Sequence, residues 1–201
     1  MQLFNLDDEH KGKAYQILAS LVAPRPIAWT ATRSAEGSVN VAPFSFFNVF
    51  GSRPPVVVIA PGDKEPGVPK DTARNIRESG EFVIHLLDEP LVEAMNATAA
   101  EKDYGDSELD GLGLTLADCD HVSVPRIVEA PAALECREHT TLRIGKNRLI
   151  IGQVHRVWAR EGLFDPKTLR FDQEKYAPIA RMGSPDWYAR TDDLFSLKRP
   201  D

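Results

Sequence analysis

With 201 residues, 42% of them hydrophobic and 27% charged, the chain has the composition of a globular protein with enough apolar material for a core. Its net charge of −6 argues against a general nucleic-acid binder, and no run approaches the ~20 apolar residues that a membrane span needs. The acidic start, Met1-Gln2-Leu3-Phe4-Asn5-Leu6-Asp7-Asp8-Glu9, lacks the basic-then-apolar order of a secretory signal, so the expected location is the cytoplasm.

Ala14, Ile17, Leu18 and Leu21 recur at helical spacing, which predicts a short helix over 11–21 that ends before Pro24. From Pro26 to Arg33 the order turns period-two, with Ile27, Trp29 and Ala31 against Ala28, Thr30 and Thr32, the pattern of a strand. Ala35-Glu36-Gly37 turns the chain, and Ser38 to Phe44 returns antiparallel. Gly51-Ser52-Arg53-Pro54-Pro55 breaks the chain before a buried strand at Val56 to Ala60, and the proline-rich stretch 61–69 is a loop. A helix over 72–79 ends at Gly80, followed by a strand over 81–87 and a helix over 89–100. The segment 101–120 sets seven acidic residues against Lys102 and reads as a solvated excursion or a lid rather than a site.

The clearest strand pair comes late, over 132–144 and 148–159, joined by Gly145-Lys146-Asn147. Simple alternation puts Leu134, Cys136, Leu142 and Ile144 on the buried face, and Glu135, Arg137, His139, Thr141 and Arg143 on the other. Cys119 and Cys136 offer no disulfide framework. Asp118-Cys119-Asp120-His121 carries ligand atoms, but contiguous residues converge poorly on one ion, so no metal is expected. His139 and His155 are expected on neighbouring strands as an ordinary histidine pair. Several strands, short helices and no βαβ repeat point to a mainly β, α+β protein built on an antiparallel barrel. No linker divides it, so 1–201 is read as one domain with a core at about 14–160 and a C-terminal extension over 161–201.

Charge is unevenly spread. Residues 21–80 carry +2 and the remainder −8, so an anion is best accommodated in the former segment. Thr30 and Thr32 share a strand face about 7 Å apart, a spacing suited to a phosphate or a polyol chain and equally to plain β-propensity. Lys70-Asp71-Thr72 opens a helix, where free N–H groups favour an anion and where Asp71 or Thr72 could serve as a cap. Capping leaves Lys70 and Arg74 unexplained, since cations are unfavourable at that end. The segment from Asn40 to Asn48 adds small residues, a hydroxyl, amides and aromatics fit to flank a flat ring.

In that order, these residues resemble the flavin reductase-like, FMN-binding split-barrel family in its flavoredoxin-like branch. The likeness covers about 14–160 and is strongest over Pro24–Leu86. It implies a homodimeric split β-barrel that holds FMN near the subunit interface. By the resemblance, Trp29, Thr30, Ala31 and Thr32 would line the cofactor site, with Arg25 as a further contact. Asn40, Ala42, Ser45, Phe46, Phe47 and Asn48 would flank the isoalloxazine and ribityl chain, and Lys70, Asp71, Thr72 and Asn75 would serve the phosphate. Arg181 and Tyr188 would reach a substrate pocket from the tail. The implied reaction is hydride transfer from NADH or NADPH to the flavin, then delivery to an unknown acceptor. Alternatives are an electron carrier reduced by a protein partner, or a flavin-binding module that turns nothing over. No catalytic side chain is implied, because the cofactor carries the chemistry.

Overall fold

A computed structural model describes residues 1–100 and 102–200. Glu101, counted above in the acidic run, and Asp201, the last residue of the extension, lie outside the described residues. After one 3-10 turn, α1 (Ala14–Leu21) leads into β1 (Ala28–Arg33) and β2 (Val39–Phe44), then β3 (Phe47–Ser52) and β4 (Pro55–Ile59). Next come α2 (Asp71–Ser79), β5 (Glu81–Leu86), α3 (Val92–Ala97) and the short pair β6 (Leu116–Ala117) and β7 (Arg126–Ile127). The long hairpin of β8 (Ala132–Ile144) and β9 (Asn147–Ala159) follows, and β10 (Ala180–Arg181) and β11 (Tyr188–Ala189) end the chain's regular structure. No described helix is long and apolar enough to cross a membrane.

Seven strands form one antiparallel sheet in the order β2-β1-β5-β8-β9-β4-β3. Laid flat, its two edges would stand roughly 29 Å apart, six spacings of about 4.8 Å. Yet the edges β2 and β3 are joined by Ser45-Phe46 alone, and the step from Phe44 to Phe47 spans at most roughly 11 Å. The sheet must therefore curl until its edges meet at this corner. They do not pair there, so the barrel stays split.

The curl creates two cores, and alternation along β1 and β5 feeds both. Ala28, Phe82 and Ile84 join Phe47, Ile59, Cys136 and Ile150, with Ala73 and Ile76 of α2 filling the same cluster. Trp29, Ala31 and Val83 point the other way, into a cluster with Met95 of α3 and Val124 and Ile127 of the following segment. Gly152 sits where the first core is tightest: a Cβ there would lie 2.3 Å from Phe82 Cζ. Gly80 ends α2 in the left-handed region at φ 71°, its N–H donating to Ile76 O.

Several expectations need correction. β3 was not foreseen because it is an edge strand whose Val49 and Phe50 are exposed, so no inside-outside alternation marks it. Leu18 and Leu21 are also exposed, and Ala19 is the buried residue of α1. Two bulges, at Glu135/Cys136 and Glu138/Thr140, each shift the pairing of β8 with β9 and reset which face is inside. Leu142 and Ile144 emerge at 50% and 61% exposure past the second bulge, whereas Glu135 is fully buried because segment 120–122 and Trp158 cover its face. His139 and His155 fall at different bulges and do not pair, and His155 stacks on His121 at 4.4 Å.

Candidate functional site

The free edge of β2 meets the start of α2 and the end of α3 to form a cleft of about 140 Å³. Asn40, Ala42, Lys70, Asp71 and Thr72 line it, joined by Lys64, Ala99, Lys102 and Glu108. Lys70 takes the N-cap position of α2, and no side chain caps the helix. This corrects the expectation that Asp71 or Thr72 would do so. Asp71 pairs with Lys64 Nζ at 2.9 Å, and Thr72 Oγ1 accepts from Asn40 Nδ2 at 3.0 Å. The first N–H groups of α2 are left to face the cleft. Because Thr72 accepts from Asn40, its own proton is free to be donated; it has no acceptor among the described residues.

Behind this surface lies a buried amide–hydroxyl chain. Thr32 Oγ1 accepts from Asn75 Nδ2 at 3.1 Å and from Asn40 Nδ2 at 3.4 Å, and Tyr104 OH donates to Asn75 Oδ1 at 3.2 Å. Thr30, Thr32 and Asn75 are buried, so they stand one layer behind the cleft wall. Trp29 and Ala31 face the opposite core, where the Trp29 indole donates to Thr98 Oγ1 at 2.8 Å. Arg74, whose charge at the start of α2 had no evident partner, lies 4.4 Å over the Tyr104 ring. Lys70 lies 5.9 Å over the Phe44 ring and makes no ion pair within 4.0 Å among the described residues.

Of the two readings of the acidic segment, the structure favours the lid, and it adds that Lys102 and Glu108 line the cleft themselves. Glu108 Oε2 accepts from the edge-strand amide of Val41 at 2.9 Å, and Lys102 donates to Ser107 O at 2.7 Å. Burial pushes the Glu108 carboxyl above its ordinary range, and the nearby charge of Asp71 adds to this. Glu108 and Lys102 carried no local sequence signal, since an edge strand accepts such a partner from any distant loop.

A second pocket, of about 270 Å³, adjoins the first across Pro43 and Ala99. Ser45, Arg181 and Tyr188 line it together with Tyr15, Ile27, Met95 and Asn96. Arg25 is buried and lines the neighbouring groove, donating to Ala19 O, Val22 O, Met182 O and to Ser45 Oγ, which borders both spaces. The tail over 180–189 packs here: Arg25 and Arg181 exchange backbone hydrogen bonds. Phe46, Phe47 and Asn48 border a separate apolar groove of about 410 Å³ with Leu18, Val22 and Phe50. The sequence-expected residues therefore divide among cleft, pocket, groove and the layer behind them.

The split antiparallel barrel is the fold of the flavin reductase-like class. Residues 21–180 match the flavin reductase like domain. The chain belongs to that family. It is 41% identical over 201 residues to an uncharacterized protein of Deinococcus radiodurans, covering 98% of this chain and 88% of that one. Nitrilotriacetate monooxygenase component B from Bacillus cereus superposes with a TM-score of 0.92 at 32% identity, covering 98% of both chains. The 2-nitrobenzoate 2-nitroreductase NbaA of Pseudomonas fluorescens superposes with a TM-score of 0.88 at 32% identity, covering 99% of this chain and 96% of that one.

Proposed function

We propose that the chain is an FMN-binding oxidoreductase that draws hydride from NADH or NADPH and works as a cytoplasmic homodimer. The observation that carries this reading is the β2–α2 cleft, where Lys70, the uncapped start of α2 and the free proton of Thr72 converge on one volume. These groups fit a phosphate. Lys70 supplies charge, Thr72 a donor, and Asn40, braced by Thr32, fixes the Thr72 hydroxyl. Ala42 and Pro43 keep the wall low between this cleft and the second pocket, leaving a path for a ribityl chain. Ser45 to Asn48 border the apolar groove beyond, which suits a flat ring.

Bound FMN would supply the two-electron chemistry. The side chains supply anchoring, orientation and shelter from water, and no acid–base pair is required of them. The exposed apolar residues Leu18, Leu21, Val22, Phe46, Val49 and Phe50 support burial against a second copy of the chain. A second reading, electron delivery to a partner protein, draws support from the relative named as component B of a monooxygenase.

The test is the visible spectrum of the purified protein with stoichiometric FMN, recorded before and after anaerobic NADH and then NADPH. Retained flavin that bleaches with either nucleotide is the expected result. Flavin that is bound but not bleached would move the reading to the partner-reduced carrier. Failure to retain FMN would overturn it.

A further inference from the structure

One cation, Arg181, lines the second pocket, and the buried guanidinium of Arg25 lies close to it. Arg25 is 6% exposed and uses its guanidinium on three backbone carbonyls and Ser45 Oγ. Arg181 lies 4.7 Å over the Tyr188 ring and donates to Pro185 O. Neither guanidinium has a carboxylate within 4.0 Å among the described residues. Asp186 borders the pocket, but it is exposed and pairs with neither arginine. Burial lowers the pKa of Arg25, Tyr15 opposes this, and the Arg181 charge adds to the lowering.

The free donors also converge. A guanidinium has five N–H donors, and one backbone acceptor leaves Arg181 most of its fork. Ser45 Oγ accepts from Arg25 Nε at 3.3 Å, so its proton is available to the pocket. The Asn96 amide adds a third donor with no recorded partner among the described residues. Around these stand two tyrosine rings, Tyr15 and Tyr188, over the buried Ile27 and Met95. A planar fork suits a carboxylate, and aromatic walls over an apolar floor suit a flat ring.

From this arrangement we infer that the second pocket binds a planar aromatic carboxylate, with Arg181 as the residue that recognises the acid group. As a substrate class, this rests on the flavin reading above, because the pocket adjoins the proposed cofactor cleft. As a binding site, it stands on the pocket alone.

Calorimetric titration of the FMN-treated protein with benzoate, benzamide and inorganic phosphate tests it. Benzoate is expected to bind at least about tenfold more tightly than either other probe, since only it supplies both ring and carboxylate. Arg181→Gln should abolish the preference for benzoate over benzamide, and Arg181→Lys, which keeps charge but not the fork, should retain part of it. Equal binding of benzoate and benzamide, equal binding of phosphate, no binding of benzoate, or a preference untouched in Arg181→Gln would each overturn the inference. Arg181→Lys decides the matter if circular dichroism finds Arg181→Gln unfolded: full wild-type preference there would count against a fork. FMN retention is read separately from flavin absorbance. A wild-type protein that takes benzoate but not FMN would sink the cofactor assignment and leave the acid site standing.

Discussion

Replacing Thr72 by Val removes the one hydroxyl at the start of α2 whose proton is free, at nearly constant volume. Thr72 is 1% exposed, so its replacement changes the cleft wall without opening a surface. A hydrogen bond to a charged group contributes about 1.5–3 kcal/mol, which converts to roughly a ten- to hundredfold weaker FMN complex. Riboflavin, which has the ring and ribityl chain but no phosphate, should lose less than about threefold by the same reasoning. Thr72→Ser restores the oxygen and should recover most of the affinity. Lys70→Met removes an exposed, solvent-screened cation and should cost about two- to fivefold, shrinking as salt is raised. Quenching of flavin fluorescence gives all of these constants. Equal losses for FMN and riboflavin in Thr72→Val would refute the phosphate assignment, as would an unchanged FMN constant.

Three further perturbations probe the scaffold that holds this cleft. Glu135→Gln leaves two of four donors (the amides of Asp120, His121 and Val122, and the Trp158 indole) facing an NH2 group, and should lower stability in urea by about 3–5 kcal/mol at neutral pH. Burial raises the Glu135 carboxyl, but those four bonds outweigh it and hold its pKa below the ordinary value, so the difference from wild type should fade as pH falls through the acid range; a constant difference would contradict this. His85 is neutral between Trp29 O and the Ile127 amide, and burial lowers its pKa from 6.5 to about 4. The unfolded chain binds the extra proton first, so about 3 kcal/mol of stability should drain away as pH falls from 6.5 to 4, and His85→Asn should flatten that slope. Gly152→Ala forces a methyl against the Phe82 ring and should cost about 1–3 kcal/mol, read as a lower Tm; an unchanged Tm would mean that Phe82 moves freely.

The strands β1, β2, β5, β8 and β9 were legible because period-two patterns and turn residues lie within each segment, and Gly80 marks the end of α2. β3 was not, since an edge strand with an apolar outer side has no alternation to read. The two bulges of the β8–β9 pair, at His155 and His139, were invisible too, since each arises from pairing; the second turns Leu142 and Ile144 outward, and Glu135 is buried by a distant loop. At the site, residue types in local order brought Asn40, Ala42, Lys70, Asp71 and Thr72 to one cleft. Lys64, Lys102 and Glu108 escaped because their roles come from loops folded onto the β2 edge.

The same geometry explains why neighbouring hydroxyls in one hairpin have different places. β1 is flanked by β2 and β5 and buried on both faces, so Thr30 and Thr32 cannot meet solvent. β2 has only one strand neighbour, and its open side is where a ligand can approach. Asn40 lies directly across from Thr32 in the ladder, so its amide can be held from inside while it holds Thr72 outside. Asn75 grips Thr32 from α2, tying the helix to the same strand pair. A buried polar chain of this kind is costly unless every member finds a partner. Two protons of the chain lack an acceptor among the described residues, that of Thr32 inside it and that of Thr72 at its outer end, and only the latter borders the cleft. An anion at that point would accept the Thr72 proton beside the charge of Lys70, so the proposed phosphate site would join both groups.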